Sequence, residues 1–343
     1  MKLIHSRSPD VIVIGAGLAG LVVASQLQRS GVCVQVFDKS GDVGGRLATR
    51  RRGEARWNHG APCVEVSCEA FRNLLESLYE AGSATLAGEP AGALTSYSGT
   101  PDMRALLQPL REGLAMKFDH EIRALTATTQ GWEVRGQVRG KAFVDQAPAL
   151  VCTAPGPQSA RLLAAENEAA GGPEACALRE LGSRLATVRY SPCWTALLCF
   201  EQPVALSSPY ADAVIDRVRP WSMHEQGRTR HWLVQANSQW SQTHLEASSS
   251  DVAEQLLEAW RQHDGSADGQ AAGLQSLRVH RWRYARCSKP LDGECWWDPA
   301  LRLGLAGDWF VEPDAQGAFA SAQTLVETMT GSWLSADAVA SAQ

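Results

Sequence analysis

The sequence predicts an α/β protein with a three-layer, mostly parallel sheet in one domain and a mixed-sheet α+β arrangement in a second. Residues 10–14 are a continuous apolar run rich in β-branched side chains, typical of a strand buried on both faces of a parallel sheet. A glycine-rich turn at 15–20, a helical stretch at 21–30 and a second buried strand at 32–37 follow directly. This order of strand, turn, helix and strand indicates a βαβ unit at the start of the chain.

The turn between the first strand and the first helix reads G-x-G-x-x-G, a spacing that suits a dinucleotide. Gly15 permits a tight turn, Gly17 allows the backbone to approach a pyrophosphate, and Gly20 allows the helix to pack close to the strand. The helix start offers N–H groups and the positive end of its dipole to the phosphates. Asp38 lies 18 residues after Gly20, where a carboxylate can accept hydrogen bonds from the adenosine ribose. The six turn residues alone also suit a plain strand-to-helix turn, but the complete unit favours a Rossmann-like dinucleotide site.

A second glycine pair follows the acid. Gly44, Gly45 and Arg46 resemble the G-G-R doublet of the FAD-dependent amine oxidase superfamily, where this loop runs along the FAD pyrophosphate. The resemblance implies that the dinucleotide is FAD. Glycines permit close backbone approach, and an arginine can neutralise phosphate charge. A flexible surface turn is the alternative interpretation of these three residues.

Periodicity and turn residues predict the remaining elements in order. Helices are expected where apolar residues recur every three to four positions, and strands where apolar and β-branched residues alternate or run together. The predicted helices are 68–82, 100–110, 158–165, part of 166–182, 251–262 and 316–329. The predicted strands are 114–118, 121–129, 132–137, 149–155, 190–200, 213–216, 221–224, 231–236, 277–285 and 301–306. The stretch 84–99 is small and glycine-rich, and a loop is expected there.

Composition excludes several classes of function. The 343 residues are 45% hydrophobic and 20% charged with a net charge of −5, which is typical of a soluble globular protein and offers no support for nucleic-acid or membrane-surface binding. The one basic run, residues 50–52, is interpreted as a solvated loop or as extra charge near a phosphate. No signal-peptide core or membrane-spanning stretch is apparent. The nine cysteines form no C-x-x-C pair, so no metal site is predicted and a reducing cytoplasm is expected.

The segment after the nucleotide region carries a finer resemblance. Asn58, Gly60 and Ala61 resemble a segment of the renalase-like members of the amine oxidase superfamily, where the backbone comes close to the flavin. Pro62 and Cys63 stand where glutamine and an aromatic residue are usual in that group. This departure implies a substrate pocket that differs from the pockets of better-known relatives.

Two residues are weak candidates for a catalytic role. His59 is a candidate pocket base or hydrogen-bond donor, or else a loop histidine without a chemical task. Trp282 lies in a stretch that resembles the W-x-Y-A strand by which relatives approach the flavin from the substrate side, although a core position is the alternative. Many amine oxidases place a lysine near flavin N5, and no lysine occupies a matching position here.

The chain is expected to return to the cofactor near its C-terminus. Gly307 and Asp308 follow a predicted strand and resemble the second FAD motif of the superfamily, in which the carboxylate takes a ribityl hydroxyl. Gly317 would stand at the start of the last helix beneath the isoalloxazine, where a helix N-terminus stabilises the reduced flavin. By the same resemblance Ile122 contacts the adenine through its backbone, and an ordinary strand position is the alternative.

The resemblance implies two domains and a set of cofactor contacts. The FAD-binding domain, of the amine-oxidase and p-hydroxybenzoate-hydroxylase type, is predicted to comprise residues 1–60, 100–156 and 286–330. The substrate domain comprises residues 61–99 and 157–285, and residues 331–343 form a tail. The predicted cofactor-binding residues are Gly15, Ala16, Gly17, Gly20, Asp38, Lys39, Gly44, Gly45, Arg46, Asn58, Gly60, Ala61, Ile122, Gly307, Asp308 and Gly317.

The renalase-like resemblance also implies a reaction. Members of that group transfer a hydride from an isomeric dihydronicotinamide to flavin N5, and reoxidation by O2 gives H2O2. Only one G-x-G-x-x-G is visible, so the reducing substrate is expected directly over the flavin. FAD is expected to bind non-covalently, since no cysteine falls within 311–317. Oxidation or desaturation of an amine or another small molecule, and flavin binding without turnover, are the alternatives.

Overall fold

The computed structural model describes residues 8–52, 55–87, 94–167, 173–205, 211–220, 228–263 and 273–334. It divides into two compact units. Unit 1 comprises Met1–Gly45, Leu107–Arg189 and Ser288–Gln343, and unit 2 comprises Arg46–Leu106 and Tyr190–Cys287.

Eighteen strands and eight α-helices are found among the described residues. The strands are β1 (Val11–Ile14), β2 (Val34–Phe37), β3 (Arg50–Arg52), β4 (Ala55–Trp57), β5 (Val64–Val66), β6 (Ala84–Leu86), β7 (Thr95–Gly99), β8 (Ala115–Lys117), β9 (His120–Thr128), β10 (Gly131–Val138), β11 (Lys141–Ala147), β12 (Ala149–Cys152), β13 (Arg189–Ala205), β14 (Ile215–Pro220), β15 (Arg228–Ala236), β16 (Leu274–Lys289), β17 (Trp296–Asp298) and β18 (Leu303–Leu305). The α-helices are α1 (Leu18–Arg29), α2 (Glu69–Glu80), α3 (Gln108–Arg111), α4 (Gly156–Asn167), α5 (Pro173–Leu185), α6 (Ser238–Thr243), α7 (Ser249–His263) and α8 (Ala315–Met329). Short 3₁₀ turns at Gly45–Leu47 and Met103–Leu107 and a π turn at Thr330–Leu334 complete the set.

Unit 1 is built on a six-stranded sheet in the order β17-β18-β12-β1-β2-β8. All neighbours pair in parallel except β17, which runs antiparallel to β18. The chain winds from β1 outward through β2 to β8 and then crosses to β12 and β18, so the winding direction reverses beside β1. A ligand in such a sheet binds at this switch point, outside the carboxyl ends of the strands. The predicted α/β class with a mostly parallel sheet is confirmed.

Two layers cover this sheet and account for its buried strands. Helices α1 and α8 pack against each other, and the antiparallel sheet β9-β10-β11 contacts β1, β2 and β12. Phe143 of β11 stacks on Phe37 at a centroid distance of 5.6 Å, and the Trp132 indole donates to the Leu301 carbonyl over 2.7 Å. Every residue of β1 and β12 is buried, as expected for strands covered on both faces.

Unit 2 is built on an antiparallel sheet in the order β14-β15-β13-β16. Helix α7 covers one face of it through Val252, Leu256, Ala259 and Trp260, which pack on the even-numbered side chains of β13 and β15. The odd-numbered residues Leu197, Cys199 and Leu233 face the other way and pack with Trp57 of the β3–β4 hairpin. A smaller sheet, β5-β7-β6, lies beside α2. The alternation along β13 thus builds one apolar face and one face that meets the hairpin.

Several predicted elements were wrong. The expected loop at 84–99 contains β6 and β7, which pair antiparallel with each other, and β11 was not predicted at all. The expected helix at 100–110 begins with a cis Thr100–Pro101 bond, and the helical turns start only at Met103. A proline placed for a helix start also suits a tight turn, so the pattern was ambiguous. The predicted strand at 221–224 and most of the predicted tail lie outside the described residues.

The compact units do not coincide with the predicted domains. Residues 46–60 pack in unit 2, whereas the motif resemblance assigned them to the FAD-binding domain. Helices α4 and α5 pack in unit 1, where α4 lies against β9, whereas the resemblance assigned residues from 157 onward to the substrate domain. The predicted division followed motifs, and the observed one follows packing. Among the described residues, no helix is long and apolar enough to cross a membrane, and no cluster of three metal-ligating side chains occurs.

Leu256 tests the account of the unit 2 core. Its side chain is 1% exposed within the cluster on α7. Leu256→Ala is expected to lower the free energy of unfolding by about 2–5 kcal/mol, because it removes buried methyl groups and leaves a cavity. Glu254→Ala on the exposed side of the same helix should stay within about 0.5 kcal/mol of the parent in denaturant titrations. Equal losses in the two variants would contradict the packing described.

Candidate functional site

The first glycine turn lies at the carboxyl end of β1 and is closed by Thr153. Gly15 has a φ of +107°, and a Cβ there would come within 2.6 Å of the Thr153 hydroxyl. A Cβ at Gly20 would overlap the Gly15 carbonyl oxygen, so α1 can cross the turn only because position 20 lacks a side chain. The Thr153 hydroxyl donates to the Ile14 carbonyl over 2.9 Å and fixes this contact. Gly15 therefore permits the tight turn, and Gly20 permits the close packing of α1 on it, because neither position has room for a side chain.

Asp38 holds the turn from the neighbouring strand. One of its carboxylate oxygens accepts from the Ala16 N–H over 2.7 Å, and the other accepts from the Ser40 N–H over 2.7 Å. A carboxylate has about four acceptor sites, so both oxygens retain capacity for ribose hydroxyls. Lys39 is exposed beside it. The acid thus stands at the end of β2, next to the turn that it was predicted to serve.

The second glycine loop lies directly on the first. The Gly44 N–H donates to the Ala16 carbonyl over 3.0 Å. A Cβ at Gly45 would lie 3.2 Å from the Cα of Gly17, and both Gly44 and Gly45 have positive φ values, +150° and +54°. The two loops approach so closely because no side chain stands between them.

The arrangement fits the pyrophosphate of a dinucleotide. Helix α1 has Gly17 at its N-cap, no side-chain cap and no acidic residue in its first turn. Its first N–H groups and its positive dipole end are therefore not neutralised by the helix itself. Gly17 has ordinary extended backbone angles, and a Cβ there would meet nothing in the protein closer than 3.8 Å. The fold would therefore accept a side chain at position 17. Glycine at this position instead leaves space for a ligand beside the helix start.

Gly307 and Asp308 lie at the same edge of the sheet. They follow β18, and Asp308 is 1% exposed. The Gly307 N–H donates to the Ser321 hydroxyl of α8 over 3.0 Å, and a Cβ at Gly307 would overlap the Trp309 indole nitrogen. Strands β18 and β2 are three positions apart, which corresponds to about 14 Å at about 4.8 Å per strand. An elongated ligand along this edge would therefore pass both Asp38 and Asp308.

Gly317 stands in the first turn of α8, but its N–H is not free. The carboxylate of Asp314, the N-cap residue, accepts from that N–H over 2.8 Å. A Cβ at position 317 would overlap the carbonyl oxygen of Glu312, so the glycine allows this loop to fold over the helix start. A capping carboxylate therefore occupies the Gly317 N–H, and the expected position of Gly317 beneath the isoalloxazine stays a prediction.

The remaining predicted cofactor residues lie in unit 2 or on β9. The Arg46 guanidinium donates to the Ala285 carbonyl over 3.3 Å, and the Arg46 carbonyl accepts from the Ala61 N–H over 2.9 Å. Gly60 is required there because a Cβ would overlap that Arg46 carbonyl. The Asn58 side-chain oxygen accepts from the Thr49 hydroxyl and the Met103 N–H. Their cofactor contacts stay predictions.

Ile122 lies on β9, near the backbone of Asp38. The N–H of His120, two residues earlier on the strand, donates to the Asp38 carbonyl over 2.9 Å. Ile122 itself is half-buried and pairs with Gly136 across the antiparallel ladder. Its position is compatible with both the adenine contact and the ordinary strand position that the sequence left open.

His59, His280 and Trp282 form an aromatic cluster in unit 2. Their ring centroids are 4.8 Å (His59–His280), 5.1 Å (His59–Trp282) and 4.5 Å (His280–Trp282) apart. The Trp282 indole donates to the His59 carbonyl over 2.9 Å. His59 is 5% exposed, whereas His280 and Trp282 are half-buried and keep accessible surface. The structure thus brings the two predicted catalytic candidates together and adds His280.

The histidines of this cluster are uncharged near neutral pH. Burial, followed by the charges of His280 and Arg50, lowers the pKa of His59 to about 3. Burial and the charge of Arg50 lower the pKa of His280 to about 4. A side chain with so low a pKa is a poor general base at neutral pH. The base role considered for His59 is therefore disfavoured, and it is best described as a buried support for Trp282 and His280.

Two residues that contribute to these arrangements were not predicted. Thr153 follows a strand that was recognised, but nothing local marked its hydroxyl as the partner of two glycines. His280 shares the alternation of Trp282, since residues two apart on a strand lie on one face. That alternation was the available signal.

Comparison with known proteins agrees with this geometry. Residues 13–78 match a family model described as an NAD(P)-binding Rossmann-like domain. The chain is 36% identical over 74 residues to the mitochondrial protoporphyrinogen oxidase of Nicotiana tabacum (22% of the chain, 15% of the relative). It is 32% identical over 121 residues to lysine-specific histone demethylase 1 homolog 1 of Arabidopsis thaliana (34% of the chain, 13% of the relative).

Fold similarity extends over nearly the whole chain. A crystal structure described as a "Putative protoporphyrinogen oxidase" from Exiguobacterium sp. 255-15 aligns with a TM-score of 0.64 and 13% identity, covering 94% of this chain and 99% of that one. At that identity the match shows a shared fold alone. The matched segments cover only 15% and 13% of the two curated relatives, so the activities in their names remain those of the relatives.

Gly17→Ala separates ligand binding from folding. The methyl group clashes with nothing in the protein, so we expect an unchanged unfolding transition. Because it fills the space where a pyrophosphate approaches the backbone, dinucleotide retained after purification should fall at least tenfold.

Gly182→Ala on α5 is the matched control for this variant, since a Cβ there meets nothing within 4 Å. It should retain the full amount of dinucleotide. Full retention by Gly17→Ala as well would show that the turn does not hold the ligand.

Acid should destabilise the protein through His59. Its pKa is below the ordinary 6.5 in the folded state, so between pH 6.5 and about 3 the unfolded state binds more protons. Stability is thus complete above pH 6.5 and falls on acidification, by on the order of 1 kcal/mol per pH unit from this residue. Urea unfolding of His59→Gln at pH 7, 6 and 5 should show a shallower loss than the parent. Parallel losses would contradict the buried, neutral histidine.

Proposed function

We propose that the chain is an FAD-dependent oxidoreductase that takes a hydride from a small-molecule substrate and uses O2 as the electron acceptor. The observation that carries this is the contact of the Gly44–Gly45 loop with the Gly15–Gly17 turn at the start of α1. A single glycine turn suits many dinucleotides, whereas this second loop resembles the one that lies along the FAD pyrophosphate in the amine oxidase superfamily. A segment of 164 residues is 26% identical to the succinate dehydrogenase flavoprotein subunit of Bacillus subtilis, and this similarity supports a flavin cofactor.

The residues of unit 1 would hold FAD without a covalent bond. Asp38 would accept from the adenosine ribose, the first N–H groups of α1 would bind the pyrophosphate, and Asp308 would accept from the ribityl chain. When bound, FAD supplies N5 as hydride acceptor and afterwards passes two electrons and two protons to O2, which gives H2O2. Orientation and electrostatics are what the polypeptide contributes.

Within this class we propose an isomeric dihydronicotinamide as the substrate, in line with the renalase-like resemblance. His280 and Trp282 offer uncharged, half-buried ring surfaces on which a planar ring can lie. The histidines are neutral, so they do not repel a ring that becomes cationic when it loses a hydride. Oxidation of an amine is less well supported, because the segments 46–106 and 190–287 that form unit 2 contain no lysine.

Anaerobic mixing of the yellow holoprotein with candidate substrates tests the proposal. An isomeric dihydronicotinamide is expected to bleach the visible absorbance of the flavin within one turnover, and air should restore it with one H2O2 per substrate. Primary and secondary amines are expected to leave the spectrum unchanged. Bleaching by an amine alone would overturn the substrate assignment, and an unresponsive flavin with every reductant would indicate binding without turnover.

Trp282 provides a variant pair for the same assay. Trp282→Phe keeps a ring and should lower kcat/KM by less than about threefold, while Trp282→Ala should lower it by about tenfold or more, which corresponds to about 1.4 kcal/mol of transition-state stabilisation. The unfolding transition of each variant controls for loss of structure, since the indole also donates to His59. Equal rates for the alanine and parent proteins would show that the ring does not position the substrate.

A further inference from the structure

Unit 2 contains a cavity of about 240 Å³ that has no role in the proposed reaction as described above. It is lined by Arg50, Arg51, Trp57, Leu197, Ser276 and Arg278, all of which belong to unit 2. We refer to it as the arginine cavity. Among the described residues that line it, three of six are cationic and none is acidic.

Strand geometry explains why these residues meet. Arg50 of β3 pairs directly with Trp57 of β4, so the hairpin presents both at one ladder position. Trp57 packs with Leu197 on the face of the main sheet opposite α7. Ser276 and Arg278 are two residues apart on β16, while Leu277 between them packs into the core beneath α7. The cavity therefore lies between the hairpin and the side of the sheet that α7 does not cover.

The charge of the cavity wall is only partly compensated. Arg51 forms an ion pair with Asp102 at 2.6 Å, but Asp102 also lies 3.8 Å from Arg56 and 3.5 Å from Arg104. Across the described ranges, neither Arg50 nor Arg278 has a carboxylate within the 4.0 Å of a salt bridge. The wall thus carries more guanidinium charge than the described acidic residues neutralise. An oxyanion is the ligand that such a wall binds best, since a guanidinium donates two parallel hydrogen bonds to it.

The arginine cavity and the aromatic cluster lie along one strand face. Ser276 and Arg278 line the cavity together, and His280 and Trp282 contact each other at 4.5 Å. All four occupy every second position of β16, and strand alternation places such positions on one face. At about 3.3 Å per residue, Arg278 and Trp282 are about 13 Å apart along the strand. The charge of Arg50 also lowers the pKa of both histidines, so its field reaches the cluster.

We propose that the arginine cavity binds the oxyanion group, a phosphate or carboxylate, of a substrate whose ring lies on His280 and Trp282. The proposal rests on the proposed function because it assumes that this ring is the group that the flavin oxidises. It narrows the substrate class to anionic molecules with a planar ring, such as nucleotides, and disfavours cationic amines. Ser276 adds a neutral donor at the same site.

The first test measures the oxyanion site without any turnover. Inorganic pyrophosphate is titrated by calorimetry into the FAD-loaded holoprotein, in which the pyrophosphate site of unit 1 is filled. The parent protein should bind it, and Arg50→Gln and Arg278→Gln should each weaken binding at least fivefold. Arg261→Gln, an exposed position on α7, is the matched control and should bind as the parent does. No binding to the parent, or equal binding by all four proteins, would overturn the proposal even if no nicotinamide reduces the flavin.

The second test distinguishes a substrate phosphate from a free anion. Anaerobic flavin reduction is followed with an isomeric dihydronicotinamide mononucleotide and with the matching riboside, which lacks the phosphate. Arg278→Gln should raise the dissociation constant of the mononucleotide at least tenfold and leave that of the riboside unchanged. If the variant weakens pyrophosphate binding but affects neither reductant, the cavity holds a free anion and the assignment to the substrate is wrong.

If neither reductant bleaches the flavin, the proposed function fails separately. The calorimetric titration then still decides whether the oxyanion site exists. Circular dichroism spectra matching the parent would show that the arginine variants remain folded, as expected because Arg278 is exposed and Arg50 is half-buried.

Discussion

Three segments of backbone lie very close together at the carboxyl end of β1, and the candidate cofactor site depends on this packing. Gly15 turns against Thr153, Gly20 brings α1 over that turn, and Gly45 lies on Gly17. Each of these contacts is possible only because glycine has no side chain. The result is a helix N-terminus reached by two loops of bare backbone, with Asp38 fixing the turn from the next strand. Phosphate binding by backbone N–H groups needs this proximity, and a side chain there would block it.

The sheet of unit 2 has two faces with different chemistry. The side chains beneath α7 are apolar and hold the unit together. The other face packs against Trp57 of the hairpin and lines the arginine cavity with Ser276 and Arg278, and β16 then continues to His280 and Trp282. Burial and the charge of Arg50 on β3 keep His280 neutral, so an uncharged ring lies within four residues of the cationic Arg278 along β16. Positive charge beside uncharged aromatic rings suits an anionic molecule with a flat ring better than a protonated amine.

Much of unit 1 could be predicted because its signals are local. The glycine turn, Asp38 and the G-G-R loop lie within 37 consecutive residues, 10–46, and each has a conformational reason that a sequence displays. The partners that come from distant segments could not be predicted this way. Thr153 follows a strand more than a hundred residues later. Asp314 caps α8 by accepting a hydrogen bond from the Gly317 N–H.

The arrangement in unit 2 was harder to predict for the same reason. In the sequence, Arg50 is only one residue of a basic run. Its position opposite Trp57 results from the pairing of β3 with β4. Arg278 and His280 alternate with core residues, but the sequence does not say which face meets the hairpin. The short strands β6 and β7 contain few of the β-branched residues that mark a strand, and pairing, rather than propensity, forms them.

The visible absorption spectrum of the purified protein, followed by acid precipitation, tests the central claim most directly. The account predicts a flavin spectrum in the native protein, about one FAD per chain, and release of all of it into the supernatant, since the site holds the cofactor by hydrogen bonds and backbone contacts. A colourless protein that takes up no FAD on incubation with it would contradict the account, and flavin remaining in the pellet would contradict the non-covalent site.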